Sequence, residues 1–386
     1  MRSGFGLILP GLPLYLRAHH LPIPDLGLAS AAYMACGIVG MAALAPLVDR
    51  FGHGRGLVGG ALLYALGALV LLLLPSAPSL LVGRALQGLA MALYTPATFA
   101  YVGARVPAAR RGGAYGTVAS AQMAGFILGP AVGGVALGLG GPAGPLAAAA
   151  AAAALALVNA LVLPAEGGER EETAHASGAR ALAAPFALLA AAPWGLGFLA
   201  YTVGQQIPTG VYDSVWSLFM FHLGAPAWLV GASYAAWALP LVFLSPLVGR
   251  AAPAQRAEAW MALGGAVTAA AAVGYAFLRD PYAVTALSFL EGAGSAAVLP
   301  LSQVYLAGRV PAHRLAGVQG LAGAAGQGAA LLAAVASGYT FPLRPWAPFL
   351  LAAVGAGLGT LAFVRMGGGG RVQEVAVAGG DVPTAL

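Results

Sequence analysis

Apolar stretches long enough to cross a lipid bilayer follow one another along almost the whole chain. They lie near residues 4–16, 26–47, 56–74, 79–103, 112–140, 144–163, 186–221, 225–248, 257–278, 281–307, 314–338 and 345–364. A membrane-spanning helix needs about 20 residues, and every stretch except the first reaches that length. Hydrophobic residues make up 60% of the 386 and charged residues only 8%, too little charge to coat a water-soluble protein of this size. The sequence therefore predicts an all-α membrane protein with twelve transmembrane helices.

The arginines predict how the chain is oriented. All 18 basic residues are arginine, and basic residues concentrate in cytoplasmic loops. With the N-terminus inside, three loop arginines lie outside (Arg17, Arg279 and Arg344), and the inner side holds Arg50, Arg55, Arg105, Arg110, Arg111, Arg170, Arg180, Arg250, Arg256, Arg309, Arg314, Arg365 and Arg371. We therefore expect a multi-pass protein of the cell membrane with both termini in the cytoplasm. Loop charge accounts for the net charge of +6, so no nucleic-acid partner is expected.

An internal repeat predicts two halves. Four residues of the first half have counterparts 204 positions later: Gln87 and Glu291, Pro96 and Pro300, Tyr101 and Tyr305, and Arg105 and Arg309. Six spans per half make the repeats parallel, related by a pseudo-two-fold axis along the membrane normal. We predict a first six-helix half at 1–163, a cytoplasmic linker at 164–183, a second half at 184–365 and a disordered tail at 366–386. Because 4–16 is much shorter than 186–221, the first helix is expected to be truncated, as a start assigned too late would cause.

Charged side chains inside the apolar stretches are few. Arg84 and Gln87 lie one turn apart in the fourth stretch, Asp213 lies in the seventh and Glu291 near the middle of the tenth. An ionisable residue inside a membrane normally faces the interior of the helix bundle and has a functional role. For Arg84 the alternative is that the side chain reaches the membrane surface, and for Glu291 it is a structural hydrogen bond. Asp213 suits a transport pathway or a helix interface equally well. Of the two carboxylates, Glu291 is the preferred site for proton coupling.

Glycine and proline form a regular pattern on the fifth stretch, at Gly125, Gly129, Pro130, Gly133 and Gly134. Three of these glycines are spaced four residues apart and make one smooth stripe, which lets a neighbouring helix approach closely. Pro130 removes a backbone donor and bends the helix. The stripe is either a packing groove with no further role or a bending helix that seals the closed state.

A charged turn follows the second stretch. It contains Asp49, Arg50, Gly52 and Arg55. The Asp49 carboxylate can cap a helix N-terminus or pair with Arg110 or Arg111 in one transport state. We interpret these six residues as a conformational latch. The counterpart of Asp49 in the second half is a glycine, so the latch is expected on one side only.

These motifs resemble those of the major facilitator superfamily, and within it the twelve-helix drug:proton antiporters, over residues 1–365. The loop signature Gly-x-x-x-Asp-Arg-x-Gly-Arg begins here with Ala45 in place of glycine. The signature Arg-x-x-Gln-Gly is met at Arg84, and the glycine-proline pattern matches the antiporter signature at all five positions. The resemblance implies two six-helix bundles that alternate access to a central site. It also implies that Arg84 takes part in proton transfer and that the glycine helix limits leak.

A substrate cavity is expected between the two halves near the membrane midplane. Candidate lining residues are amides and aromatics: Gln122, Tyr201, Gln205, Gln206, Trp216, Phe219, Trp237, Gln303, Gln319 and Gln327. With few charges, such a lining suits a small amphipathic or uncharged substrate. The sequence shows no catalytic triad, phosphate-binding loop or Cys/His cluster, so neither an enzyme nor a cofactor or metal is expected.

The predicted function is proton-coupled export of a small molecule by a protein that acts as a monomer. Two alternatives remain. One is a sugar or metabolite transporter of the same fold. The other is a receptor or assembly protein that does not transport.

Overall fold

The computed structural model describes residues 2–163, 186–251, 256–310 and 312–367. The linker predicted at 164–183 and nearly all of the predicted tail lie outside these ranges. Within them the secondary structure is helical, with no strand. The division of the chain at that linker therefore stays a prediction.

Seven helices form the first part of the chain. They are α1 (Arg2–Ile8), α2 (Leu12–Ala18), α3 (Pro24–Phe51), α4 (His53–Leu73), α5 (Ala77–Arg105), α6 (Ala108–Gly140) and α7 (Ala143–Val162). The first apolar stretch is not one helix, because Pro10 and Gly11 separate α1 from α2. Ser76 starts α5: its side chain accepts a hydrogen bond from the backbone N–H of Ser79 at 3.3 Å, and a proline follows in the first turn.

Seven more helices follow residue 186, after a helical stretch at 186–190. They are α8 (Pro193–His222), α9 (Ala227–Ala251), α10 (Ala257–Phe277), α11 (Pro281–Ser295), α12 (Val298–Ala307), α13 (Ala312–Thr340) and α14 (Ala347–Gly367). The run 186–221 is thus not one long helix, because Pro193 starts α8 anew. The stretch predicted at 281–307 divides at residues 296–297 into α11 and α12.

The lengths and compositions of the helices suit a membrane. In the described part of the chain, seven helical segments are long and apolar enough to cross one: α4, α7, α10, α14, most of α9 and α13, and α11 with α12 taken together. The helices α3, α5, α6 and α8 are longer still, at 28, 29, 33 and 30 residues. Large apolar side chains stand exposed on the outside, such as Leu139 at 86% and Phe277 at 68%. Such a surface suits lipid rather than water.

With α1 and α2 counted as one span and α11 and α12 as another, consecutive spans run in opposite directions, so the molecule has two ends. We call the end that carries Arg55, Arg105 and Arg309 the arginine-rich end, and the end that carries Arg17, Arg279 and Arg344 the arginine-poor end. Helices of the first and second parts of the chain meet in two main pairs, α3 with α13 and α6 with α9.

Both inter-half pairs are closely packed near the arginine-poor end. A Cβ atom on Gly27 of α3 would lie 3.0 Å from the Cα atom of Gly338 in α13. A Cβ atom on Gly231 of α9 would lie 2.5 Å from the carbonyl oxygen of Pro130 in α6. At such distances only glycine fits, so backbone packs directly on backbone. Helices from the first and second parts of the chain are therefore in close contact at this end.

Candidate functional site

Two cavities border Glu291; the larger has a volume of about 470 Å³, and its described lining residues lie on α8 to α13. Its aromatic wall consists of Phe198, Tyr201, Tyr212 and Trp237. Its hydroxyl and amide groups come from Thr202, Gln205, Gln206, Thr209, Thr268, Ser295, Ser302, Gln303 and Gln319. Among its described lining residues, Glu291 is the only one with a charged side chain. The cavity can therefore hold a compound of mixed polarity and present one carboxylate to it.

The cavity runs from Glu291 towards the arginine-rich end. Leu306 and Gln319 line its far part, close to where α12 ends and α13 begins. Gln319 donates a hydrogen bond to Gln303 there and ties α13 to α12. A Cβ atom on Gly320 or Gly323 of α13 would meet nothing within 4 Å. The packing is therefore looser at this end of α13 than at Gly338.

The structure distributes the ten predicted cavity residues unevenly. Those on the wall of the larger cavity are Tyr201, Gln205, Gln206, Trp237, Gln303 and Gln319. Trp216 lines a smaller cavity instead, and Gln122 and Gln327 line neither of the two. Phe219 was wrongly placed by the sequence: it is 1% exposed and packs against Phe349 with ring centroids 4.3 Å apart. The described lining residues of the larger cavity all lie between positions 198 and 323.

Glu291 of α11 is held by two tyrosines from different helices. Tyr275 of α10 donates a hydrogen bond to Oε2 at 2.7 Å, and Tyr212 of α8 donates one to Oε1 at 3.3 Å. The glutamate is 2% exposed. A buried carboxylate is tolerated when hydrogen bonds replace its lost water. Neither tyrosine was predicted as a site residue. The feature that could have indicated them is a polar hydroxyl on an otherwise apolar helix.

A smaller cavity of about 80 Å³ links Glu291 to the second intramembrane carboxylate. Asp213 and Glu291 both line it. Phe126 of α6 lies on the same wall and brings the first half to the site. The two cavities share four lining residues, Thr209, Tyr212, Trp237 and Glu291. The two carboxylates therefore face one connected polar region.

Arg84 lies in the interior of the molecule. It is fully buried, seven residues after Ala77, or about 10 Å along the helix at 1.5 Å per residue. It donates a hydrogen bond to Gln87 Oε1 at 2.9 Å, and its guanidinium lies over the ring of Tyr33 at 4.6 Å. The buried side chain therefore does not follow the alternative in which it reaches the membrane surface.

The charge of Asp213 acts on Arg84. The Asp213 carboxylate lies within electrostatic range of the guanidinium, whereas Glu291 is held by tyrosine hydroxyls. The Nε and Nη2 atoms of Arg84 have no hydrogen-bond partner among the described residues. Of the four residues predicted to take part in proton coupling, Arg84 and Gln87 are hydrogen-bonded to each other, Asp213 lies within electrostatic range of Arg84, and Glu291 lines the smaller cavity together with Asp213.

This interaction leads to a prediction about stability. Replacing Arg84 by glutamine removes the cation whose charge acts on Asp213, and for a partly exposed carboxylate we expect a loss of about 1 kcal/mol. Adding Asp213→Asn should recover part of that loss, because the double variant buries no uncompensated charge. Unfolding of the two single variants and the double variant in detergent measures the coupling. Strictly additive losses would show that the two side chains do not interact.

The glycine-proline pattern of α6 makes two different contacts. A Cβ atom on Gly133 would overlap the carbonyl oxygen of Leu7 in α1, within the first half. One on Gly134 would lie 2.8 Å from the carbonyl oxygen of Ala227 in α9, in the second half. Gly129 and Pro130 lie against Gly6 of α1, and Gly125 is buried on the same helix. The stripe therefore packs on one helix of each half.

Half of the six residues of the predicted latch have side chains outside the described part of the chain. The side chains of Asp49, Arg50 and Arg111 fall outside the described residues. Arg55 and Arg110 are exposed, and Gly52 precedes α4 with a φ of 98°. The latch therefore stays a prediction.

An ion pair in the second half was missed by the sequence analysis. Arg309 pairs with Glu258 and lies 3.9 Å above the ring of Tyr305. Its repeat counterpart, Arg105, lies 4.6 Å above the ring of Tyr101. The repeated spacing of tyrosine and arginine was the signal for these contacts.

Comparison with known sequences gives one family match and several partial relatives. The sequence model of the Major Facilitator Superfamily matches residues 1–287. Multidrug resistance protein 2 of Bacillus subtilis (strain 168) is 32% identical over 137 residues, 36% of this chain and 34% of that protein. Quinolone resistance protein NorA of Staphylococcus aureus is 26% identical over 131 residues, 34% of each. The chain thus matches about a third of the length of these relatives.

Solved structures resemble almost the whole chain. Two crystal structures of the nucleoside transporter NupG, one of them of a mutant, have TM-scores of 0.76 and 0.72 to this chain. The first covers 94% of this chain and 96% of its own, and the second 95% and 96%. The sequence identities are only 14% and 15%, so the likeness concerns the fold.

Proposed function

The chain belongs to the Major Facilitator Superfamily, and on that premise we propose that it exports a small amphipathic compound in exchange for protons. Membership confirms the family and fold predicted from the motifs: the protein is a multi-pass membrane transporter and not an enzyme. The direction of transport, the coupling ion and the substrate class are the proposed part.

The observation that carries the proposal is the placement of Glu291. Its carboxylate is buried between two tyrosine hydroxyls and borders a cavity that reaches towards one end of the molecule. A charged group in such a place is costly, and it becomes less costly when it takes up a proton. Glu291 can therefore alternate between a neutral acid and a hydrogen-bonded carboxylate as access to it changes. That alternation is what proton exchange requires.

The two ends of the molecule fit one state of an alternating cycle. The contacts Gly27–Gly338 and Gly134–Gly231 bring the halves together at the arginine-poor end, while the larger cavity extends towards the arginine-rich end. We propose that the arginine-rich end faces the cytoplasm of the cell, in keeping with the loop charges. In this state substrate enters from the cytoplasm. Both termini are then cytoplasmic, and one chain of two six-helix halves suffices for transport.

Two observations bear on the substrate. The names of the partial relatives refer to resistance to drugs and to a quinolone, which supports an amphipathic compound. The described part of the cavity lining, however, holds nine neutral hydroxyl and amide side chains beside four aromatic ones. That lining favours a second candidate, transport of a polar metabolite such as a sugar. In both cases Glu291 would supply the site for the proton.

We predict that the purified protein in proteoliposomes with an internal pH dye will move protons when a substrate is added. The panel contains lipophilic cations such as tetraphenylphosphonium, neutral drugs and sugars. Proton movement evoked by a cation or drug supports exchange, because the carboxylate cannot hold a proton and serve substrate at once. Movement evoked by a sugar alone favours the metabolite transporter. Binding of a compound without any flux of compound or proton would contradict both and favour a receptor.

A further inference from the structure

Two tyrosines hold Glu291, but only Tyr212 lines the cavities. Tyr212 lines both cavities, and its bond to Oε1 is long at 3.3 Å. Tyr275 is fully buried, is absent from the walls of both cavities, and makes the short bond of 2.7 Å to Oε2. Hydroxyl hydrogen bonds in proteins are usually about 2.7–2.8 Å long. Tyr275 therefore acts as a fixed donor, whereas the bond from Tyr212 has room to shorten.

We propose that Tyr212 is the positioning residue through which a substrate in the cavity makes Glu291 release its proton. This inference rests on the proposed exchange of substrate for protons. A substrate that fills the cavity presses the Tyr212 ring and moves its hydroxyl onto Oε1. A stronger hydrogen bond to the ionised form favours that form. The proton of the Glu291 carboxylic acid then passes to water in the cavity, and the Tyr212 O–H donates to the oxygen that carried it.

In this proposal substrate binding favours proton release from Glu291. That direction of coupling fits antiport and not symport. Exchange requires that bound substrate weaken the hold of the carrier on its proton. A substrate that drew the Tyr212 hydroxyl away from Glu291 would have the opposite effect, because the carboxylate would lose a donor. The bond from Tyr212 is long enough to shorten, whereas the bond from Tyr275 is already short. Tyr212 is thus suited to sense substrate, and Tyr275 is not.

Other groups around Glu291 come from each helix that packs on it. On α8, Asp213 lines the smaller cavity with Glu291, and on α9 Tyr234 does the same. On α10, the titratable neighbour is Tyr275. Tyr234 bonds with Ser217 at 3.0 Å and is held away from the carboxylate oxygens. Among the hydroxyls that touch Glu291, only that of Tyr212 therefore connects it with the cavity.

The test uses full-length protein in detergent, a pH dye in weak buffer and tetraphenylphosphonium as the probe. For Tyr212→Phe we expect proton release per bound probe to fall about tenfold, the effect of losing roughly one hydrogen bond to a charged group. Probe affinity should change little, because the ring remains. In the matched control, Tyr275→Phe, release should persist with a shifted pH range. An infrared difference spectrum, with its band for a protonated carboxyl, reports the state of Glu291 in each variant.

The outcomes separate this inference from the proposed function. Wild-type protein that binds the probe at all pH values tested without releasing protons contradicts the proposed exchange itself. Wild-type release with equal release from Tyr212→Phe would overturn the role of Tyr212 and leave the exchange standing. Probe binding by each variant shows that it is folded. Loss of proton release in Tyr275→Phe alone would show that Tyr275, and not Tyr212, links substrate binding to Glu291. That result would contradict the inference.

Discussion

Glu291→Gln will abolish substrate-driven proton movement in proteoliposomes, with a loss of about 100-fold or more, the usual scale for removing a proton-transfer group. Glutamine has nearly the same shape, and its amide oxygen can still accept a hydrogen bond from Tyr275. The variant should therefore fold and bind substrate. It cannot gain or lose a proton at this position, so substrate movement becomes independent of the pH gradient. The measurement compares proton flux with exchange of labelled substrate across the same vesicles.

The chain offers a matched control for this change. Glu258→Gln makes the same substitution at a partly exposed residue near the arginine-rich end, where the glutamate pairs with Arg309. Surface ion pairs contribute little to stability, so coupled proton flux should be nearly unchanged. Asp213→Asn is the informative comparison, because Asp213 lines the same small cavity as Glu291. Flux that survives in Glu291→Gln and is lost in Asp213→Asn would transfer the coupling role to Asp213.

The sequence predicted the helices well because lipid imposes a simple rule. A spanning segment must form its backbone hydrogen bonds within itself and be apolar for about 20 residues. Both features can be recognised from the sequence alone. The rule fails where proline intervenes. The apolar run 186–221 reads as one segment, but Pro193 begins a new helix. Pro10 and Gly11 likewise divide the first stretch into α1 and α2.

The candidate site could be predicted only in part. Glu291 and Arg84 stand out because charge is so rare in apolar stretches, and this signal needs no tertiary structure. The hydrogen-bond partners of these residues, in contrast, can be identified only from the tertiary structure. The tyrosines that hold Glu291 come from α8 and α10, 79 and 16 residues away in sequence. For the same reason the sequence could not show that the ring of Tyr33 lies under Arg84, or that Phe219 packs against Phe349 in the core.

Gly134→Val will stop transport while leaving the protein folded, and this is the second large effect that we expect. Gly134 lies in the contact between α6 and α9, where its Cβ would be 2.8 Å from the carbonyl oxygen of Ala227 and 3.3 Å from the Cα atom of Gly231. Valine adds three carbon atoms at a place with no room for one. Because backbone cannot yield as a flexible side chain does, the two helices must separate. The separation opens the arginine-poor end, between the two halves.

Two substitutions on the same helix make this prediction specific. Gly138→Val adds the same atoms one turn later, where a Cβ would meet nothing within 4 Å, so transport should be normal. Gly133→Val would force α6 away from α1, inside the first half, and should lower the yield of folded protein. Distances between spin labels across the α6–α9 contact report the opening directly.

The contrast between Gly133 and Gly134 decides what the glycine stripe does. If the stripe serves packing alone, both valine variants should lose folded protein, and labels on any folded fraction should keep the wild-type distance. If it seals a closed state, Gly134→Val should give stable protein with a longer distance across α6 and α9. Substrate exchange should then fail, because a carrier held open at one end cannot return its site to the other. Gly134→Val protein that transports at the wild-type rate would show that the contact does not govern the cycle.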